Sequence, residues 1–127
     1  MYKVILIDDE QWIIKSLIKG IPWNQHGFEV CATATDGKIA LEKINEYHPD
    51  VIFTDIKMPY ISGLELIAKA KQRHPDLLSV IISGYAEFEF AKTAIQHKVD
   101  GYCIKPIDEE EIIGHLKNFR NILTNLK

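Results

Sequence analysis

Val51-Ile52-Phe53-Thr54-Asp55-Ile56-Lys57-Met58-Pro59 is the stretch whose reading decides the fold. The apolar and β-branched run at its head is too short for a helix and is entered from Pro49-Asp50. It therefore reads as a strand buried on both faces. Asp55 closes it. Met58-Pro59 then forces the chain out of regular structure, because proline lacks an N–H and restricts the residue before it. A carboxylate so placed stands outside the carboxyl end of a strand, where open α/β sheets bind ligands, and Asp55 is the expected reactive residue.

The same grammar repeats on both sides of that strand. Val4 to Ile7 is a short apolar run stopped by Asp8-Asp9-Glu10, followed by Trp12, Ile13, Leu17 and Ile18 at helical spacing. Gly20 closes this helix and Pro22 prevents its continuation. Ile21 to Gly27 is a long connection for an α/β unit, after which Phe28 to Ala34 reads as a second strand around Val30 and Ala32. Thr35-Asp36-Gly37 offers a turn and an N-cap; Ile39, Ala40, Ile44 and Tyr47 mark the next helix, ended by His48-Pro49.

Beyond the central strand, Ser62 and Glu65 have capping-box spacing and open a helix that carries Leu64, Ile67, Ala68 and Lys71 as far as His74-Pro75. Leu77 to Ile82 is a fourth buried strand ending in Ser83-Gly84. Ala86 to His97 reads as a helix with Phe90, Ala91, Ala94 and Ile95 toward the sheet. Gly101 to Ile104 is a fifth strand, stopped at Lys105-Pro106. Asp108 can cap the last helix, Glu109, Glu110 and Glu111 suit its positive end, and Ile112, Leu116, Phe119, Leu123 and Leu126 form its apolar stripe. Strands alternating with helices call for one α/β domain over residues 1–127, a parallel sheet with helices on both faces and right-handed crossovers.

Composition narrows the function. At 127 residues there is room for one core, and 15 basic against 18 acidic side chains leave a net charge of −3. No strong field steers such a surface to nucleic acid or anionic lipid. No apolar run approaches a membrane span, and the acids at Asp8-Asp9 interrupt what a signal peptide would keep apolar, so a cytoplasmic location is expected. Cys31 and Cys103 both fall in expected strands and read as small buried hydrophobes. Trp12 and Trp23 read as packing residues, Trp23 under the long loop; the five histidines, lacking paired spacing, read as surface or helix-end residues.

If the sheet is doubly wound in the order 2-1-3-4-5, strands one and three are neighbours at the topological switch point, and Asp8, Asp9 and Asp55 share one pocket. Converging carboxylates repel unless something positive sits among them. An all-oxygen set favours a hard ion, and few carboxylates plus waters and a substrate oxygen is the pattern of Mg²⁺. Lys105 would bring an ammonium to the same rim, and Ser83 a hydroxyl. These parts suit phosphoryl transfer to a carboxylate, with Asp55 as nucleophile and Lys105 and Ser83 holding the transferred group.

With those residues in order, the chain resembles a receiver (CheY-like) domain of a two-component response regulator. The resemblance spans the whole chain and is carried by Asp8-Asp9, Asp55-Ile-Lys-Met-Pro with Gly63, Ser83-Gly84 and Lys105-Pro106. It implies a flavodoxin-like (βα)5 fold of strand order 2-1-3-4-5. It further implies that Asp55 takes phosphate from a sensor histidine kinase's phosphohistidine. Asp9, Asp55 and the backbone carbonyl of Lys57 would bind Mg²⁺ (or Mn²⁺), and Asp8 would assist through water. Ser83 falls at the family's switch position and Tyr102 at its rotating aromatic; Lys57 and Tyr85 sit where the family tunes the lifetime of the phosphate. Pro59, Gly63 and Pro106 are structural, and the Lys105-Pro106 bond is expected to be cis. The face of the fourth helix, fifth strand and fifth helix is expected to switch, with homodimerisation on phosphorylation.

Ile21-Pro22-Trp23, Gly27-Phe28 and Ser83-Gly84-Tyr85 with Phe88 and Phe90 resemble regulators with an AraC-type helix-turn-helix output. DNA would then be reached only through an output domain beyond this sequence. The ending at Lys127 leads to the expectation of a piece of a longer transcription factor, a natural stand-alone receiver being the alternative. Not a turnover enzyme, the protein would only assist its own phosphorylation and dephosphorylation. A degenerate receiver acting as an interaction module is a further alternative, though none of the Asp or Lys positions is missing. A haloacid-dehalogenase-like phosphatase would want a second Asp where Lys57 stands. A nucleotide-binding flavodoxin-like protein would want a glycine-rich loop after the first strand.

Overall fold

The structure is a computed structural model. It describes residues 1–126, without the side chains of Phe90, Gln96 and His97; the expected inward placement of Phe90 and surface placement of His97 therefore lie outside the described residues. The elements run β1 (Tyr2–Ile7), α1 (Gln11–Gly20), a 3₁₀ turn (Trp23–His26), β2 (Phe28–Ala34), α2 (Gly37–Tyr47), β3 (Val51–Thr54), α3 (Gly63–Arg73), β4 (Leu78–Ser83), α4 (Tyr85–Lys98), β5 (Gly101–Ile104) and α5 (Glu109–Asn125). All strand pairings are parallel and the sheet order is β2-β1-β3-β4-β5, as expected.

The period-2 alternation of the strands sorts the core into two layers. Val4, Leu6, Val51, Phe53, Val80, Ile82 and Cys103 join Ile13, Ile14 and Leu17 of α1 and Ile112, Leu116, Phe119 and Leu123 of α5. Ile5, Ile7, Ile52 and Ile81 join Ala40 and Ile44 of α2, Leu66, Ile67 and Ala70 of α3, and Phe88 and Ile95 of α4. With apolar side chains on both faces, β3 cannot sit at an edge, and this places Asp55 mid-sheet. Each large side chain so buried stabilises the fold by about 1.5–3 kcal/mol.

Caps set the helix starts. The Asp36 side chain accepts from the Ile39 N–H at 2.8 Å, Ser62 Oγ from the Glu65 N–H at 3.2 Å and Asp108 Oδ1 from the Glu110 N–H at 3.0 Å. The long connection after α1 is organised instead by Trp23. Its indole N–H donates to the Leu17 carbonyl at 3.1 Å, and its ring meets Phe53 edge-on at 5.6 Å. Gly27, at φ 87°, closes the turn in a left-handed conformation that a side chain would strain.

Several expectations need correction. Trp12 is 67% exposed and its indole N–H donates to Glu10 Oε2 at 2.7 Å; it sits one position off the buried stripe formed by Ile13, Ile14 and Leu17. Leu126 lies past the end of α5 and is exposed. Cys31 is only half-buried because β2 is an edge strand, whereas Cys103 is buried. His115 is neither a surface nor a helix-end residue: it lies mid-α5, half-buried, its ring stacked 6.0 Å from that of Phe119.

Candidate phosphoryl-acceptor site

Asp8, Asp55 and Lys105 are each fastened to the sheet by their own backbone. The strand ladder continues one residue past β1, β3 and β5: the Asp8 N–H donates to Ala34 O at 3.1 Å, the Asp55 N–H to Ile7 O at 3.1 Å and the Lys105 N–H to Ser83 O at 2.8 Å. Asp8 follows Leu6, Asp55 follows Phe53 and Lys105 follows Cys103 at a spacing of two, so the three share a side of the sheet. The Lys105–Pro106 peptide is cis.

Lys105 Nζ donates to Asp55 Oδ2 at 3.1 Å and to Asp8 Oδ2 at 3.3 Å. The other carboxylate oxygens are engaged too: Asp55 Oδ1 accepts from the Ile56 N–H at 2.7 Å, and Asp8 Oδ1 from the Glu10 N–H at 2.9 Å. Asp8 is 3% exposed and Asp55 8%. Burial pushes the Asp8 carboxyl up to about 6, against the opposing pull of the Glu10 N–H and the Lys105 ammonium, while Asp55 adds to the rise. Burial disfavours the Lys105 ammonium, but Asp55 and Asp8 outweigh it and hold the group above its ordinary value.

Asp9 is exposed and, with Glu10, Asp55, Lys57, Met58, Pro59 and Lys105, lines an open pocket at the carboxyl end of the sheet. The ligand oxygens of Asp8, Asp9 and Glu10 lie within 4.8 Å of one another. Asp8 and Asp55 share the Lys105 ammonium, and Asp9 and Glu10 bring further carboxylates to the same rim, an all-oxygen set. Those residues fit a hard divalent cation. Ser83, at the end of β4, is fully buried and its Oγ has no hydrogen-bonding partner among the described residues. A buried hydroxyl without a partner costs about 1–3 kcal/mol, and this one stands one residue before Gly84, which lines the pocket.

Gly63 is where the loop after Asp55 folds back. Its N–H donates to Ile56 O at 2.7 Å, and a Cβ on it would collide with the Asp55 carbonyl oxygen, so only glycine fits. Tyr102 is 41% exposed on the opposite side of β5 from Cys103, its ring tilted on Phe88 of α4 at 4.8 Å. Two residues at the pocket go beyond the expected set. Glu10 extends the acidic group, and Glu87, at the third position of α4, also lines the pocket. An acid three residues after a helix cap is the signal that could have drawn attention to Glu87.

A family model described as response regulator receiver domain matches residues 4–117. The chain is 39% identical over 127 residues to the transcriptional regulatory protein YesN of Bacillus subtilis (strain 168), covering 100% of this chain and 34% of that protein. It is 40% identical over 119 residues to the transcriptional regulatory protein HptR of Staphylococcus aureus (strain NCTC 8325 / PS 47), covering 91% and 46%. It thus spans less than half the length of these curated relatives. Among solved structures it is similar to the REC domain of AraT, a response regulator from Geobacillus stearothermophilus, with TM-score 0.88, 36% identity and coverage of 99% and 98%. It is also similar to a two component transcriptional regulator AraC from Clostridium phytofermentans ISDg, with TM-score 0.89, 31% identity and coverage of 98% and 97%. With the acidic pocket, its lysine and its strand order already in place, these matches lead to one conclusion: the chain belongs to the response regulator receiver domain family.

Proposed function

We propose that this receiver is a phosphorylation switch in which Asp55 accepts a phosphoryl group from the phosphohistidine of a sensor histidine kinase. One observation carries the reading: Lys105 Nζ is hydrogen-bonded to both Asp8 and Asp55, on a strand adjoining the one that ends in the unpartnered Ser83 hydroxyl. An Asp55 carboxylate oxygen attacks phosphorus in line; a P–O bond forms, the P–N bond breaks, and the electron pair leaves with the imidazole nitrogen. The Lys105 ammonium, already at Asp55, moves onto a phosphoryl oxygen, and Ser83 Oγ gains the acceptor it lacks. Asp8, Asp9, Asp55 and the backbone carbonyl of Lys57 would hold Mg²⁺ or Mn²⁺. Bound there, the ion supplies positive charge to the equatorial phosphoryl oxygens.

The new dianion draws Ser83 and the Gly84-Tyr85 start of α4 toward itself, and the α4–β5–α5 face around Tyr102 and Phe88 is the element whose two arrangements it biases. Homodimerisation through that face passes the signal on to an output domain of AraC type that contacts DNA. Support for this output comes from the transcriptional regulators among the relatives. The domain assists its own phosphorylation and dephosphorylation and turns over no external substrate. It works in the cytoplasm; no helix among the described residues is long and apolar enough to cross a membrane.

The test is the intact mass after incubation with acetyl phosphate and Mg²⁺, beside an Asp55→Ala variant. A gain of about 80 Da, one phosphoryl group, in the wild type alone is expected. A gain in both would move the acceptor elsewhere, and no gain in either, with a histidine kinase also failing as donor, would leave an interaction module.

A further inference from the structure

We propose that Cys103, Glu111 and His115 form a second metal site, for Zn²⁺ or a similar transition-metal dication, at the seam between β5 and α5. The site is separate from the acidic pocket in both place and chemistry. Glu111 and His115 stand four residues apart on one face of α5, and Cys103 points from β5 to the same layer. One ligand atom of each, a thiol sulfur, a carboxylate oxygen and a ring nitrogen, lies within 4.8 Å of the others. In a tetrahedral zinc site with bonds of about 2.0–2.3 Å, ligand atoms stand about 3.4–3.6 Å apart, so a contraction of about 1 Å completes the set. Glu111 is exposed and free to supply that movement by rotation.

The ring of His115 is held for this role by three contacts. A ring nitrogen hydrogen-bonds the Tyr102 carbonyl at 3.2 Å, the outer partner that metal-bound imidazoles commonly have. Phe119 stacks beside it. Gly101 makes room for it: a Cβ there would come within 2.8 Å of His115 Nδ1. Three protein ligands leave a fourth position for water, and Glu111 and His115 also line an open pocket with Gly101 and Tyr102 through which it can enter.

Ionising Cys103 is the main cost. Burial holds the thiol protonated, and the Glu111 carboxylate adds to this by hydrogen bond and charge. A dication reverses that second effect, because the two groups that oppose each other's charge become its joint ligands. Mg²⁺ is no competitor here, since thiolate and imidazole suit soft and borderline ions and the acidic pocket suits hard ones. Bound metal would pin α5 to the strand that carries Tyr102 and Lys105, coupling the output face to metal supply.

The test uses Co²⁺ as a spectroscopic probe, on the whole chain, in excess Mg²⁺ to fill the acidic pocket. The wild type and Cys31→Ser should show a thiolate-to-cobalt charge-transfer band that stoichiometric Zn²⁺ removes. Glu111→Gln, at an exposed position, and His115→Asn, at a half-buried one, should each weaken Co²⁺ binding at least about tenfold. Absence of the band in the wild type would overturn the site. So would a band unchanged in both α5 variants, or one lost only in Cys31→Ser, which would place the metal on the other thiol.

Discussion

Replacing Asp8 with Asn should stabilise the protein in metal-free buffer, by an amount that depends on pH in a defined direction. The Asp8 carboxyl titrates at about 6 instead of 3.8, chiefly because it is buried. At about 1.4 kcal/mol for each tenfold change in proton affinity, ionising it costs about 3 kcal/mol more in the folded protein than in the unfolded chain. Because the folded-state value is raised, the native state binds more protons than the unfolded state between 3.8 and about 6, and stability falls as pH rises through that window. The loss is complete near pH 8 and mostly absent near pH 4. An amide resembles the protonated carboxyl and keeps the acceptor used by the Glu10 N–H. Asp8→Asn should therefore gain about 1–3 kcal/mol near pH 8 and less than about 1 kcal/mol near pH 4, read from urea unfolding with EDTA present. For a domain of this size that is about 4–11 °C in Tm. An equal effect at the two pH values, or a loss of stability near pH 8, would refute the burial argument.

Lys105→Met leaves Asp8 and Asp55 facing each other without their ammonium. It should cost about 3–5 kcal/mol in metal-free urea unfolding, and Mg²⁺ should recover more of that loss than it adds to the wild type. Gly63→Ala drives a methyl into the Asp55 carbonyl and should cost about 1–3 kcal/mol by the same measurement, with weakened phosphorylation in the mass assay. Ser83→Ala removes a buried hydroxyl that has no partner. Its stability should be unchanged or higher by up to about 1 kcal/mol, while the spectral change in α4 on phosphorylation, followed by NMR, shrinks. Trp12→Ala should stay within about 0.5 kcal/mol of wild type, since the ring packs on nothing in the core.

What the sequence made legible follows from which signals are local. Short apolar runs closed by Asp8, Asp55, Ser83 and Lys105 state both the strand and the residue at its end, so the fold and the pocket could be read together. Trp12 was misplaced because helical spacing names a face only to within one residue, and an aromatic beside the stripe looks the same as one inside it. The 3₁₀ turn at Trp23–His26 carries no periodic pattern; it shows in backbone bonds such as that from the Gln25 N–H to the Pro22 carbonyl, and in the Trp23 indole bond to Leu17. The grouping of Cys103 with Glu111 and His115 was invisible for another reason. It depends on the register of α5 against β5, and on the space that Gly101 leaves, which no spacing within one element records.

The ladder bonds that run one residue past β1, β3 and β5 have a consequence for time as well as place. Amides of Asp8, Asp55 and Lys105 belong to the central sheet and should exchange with solvent only in its largest opening events, among the slowest in the molecule. The charges to which the proposed chemistry is assigned are thus set in the part of the protein expected to open last. Gly84 starts α4 with no side-chain cap, and the segment beginning there is expected to open more readily than the sheet. In the switch proposed above, a signal written on the sheet would be read by α4, and the phosphate would need to last only as long as α4 takes to settle.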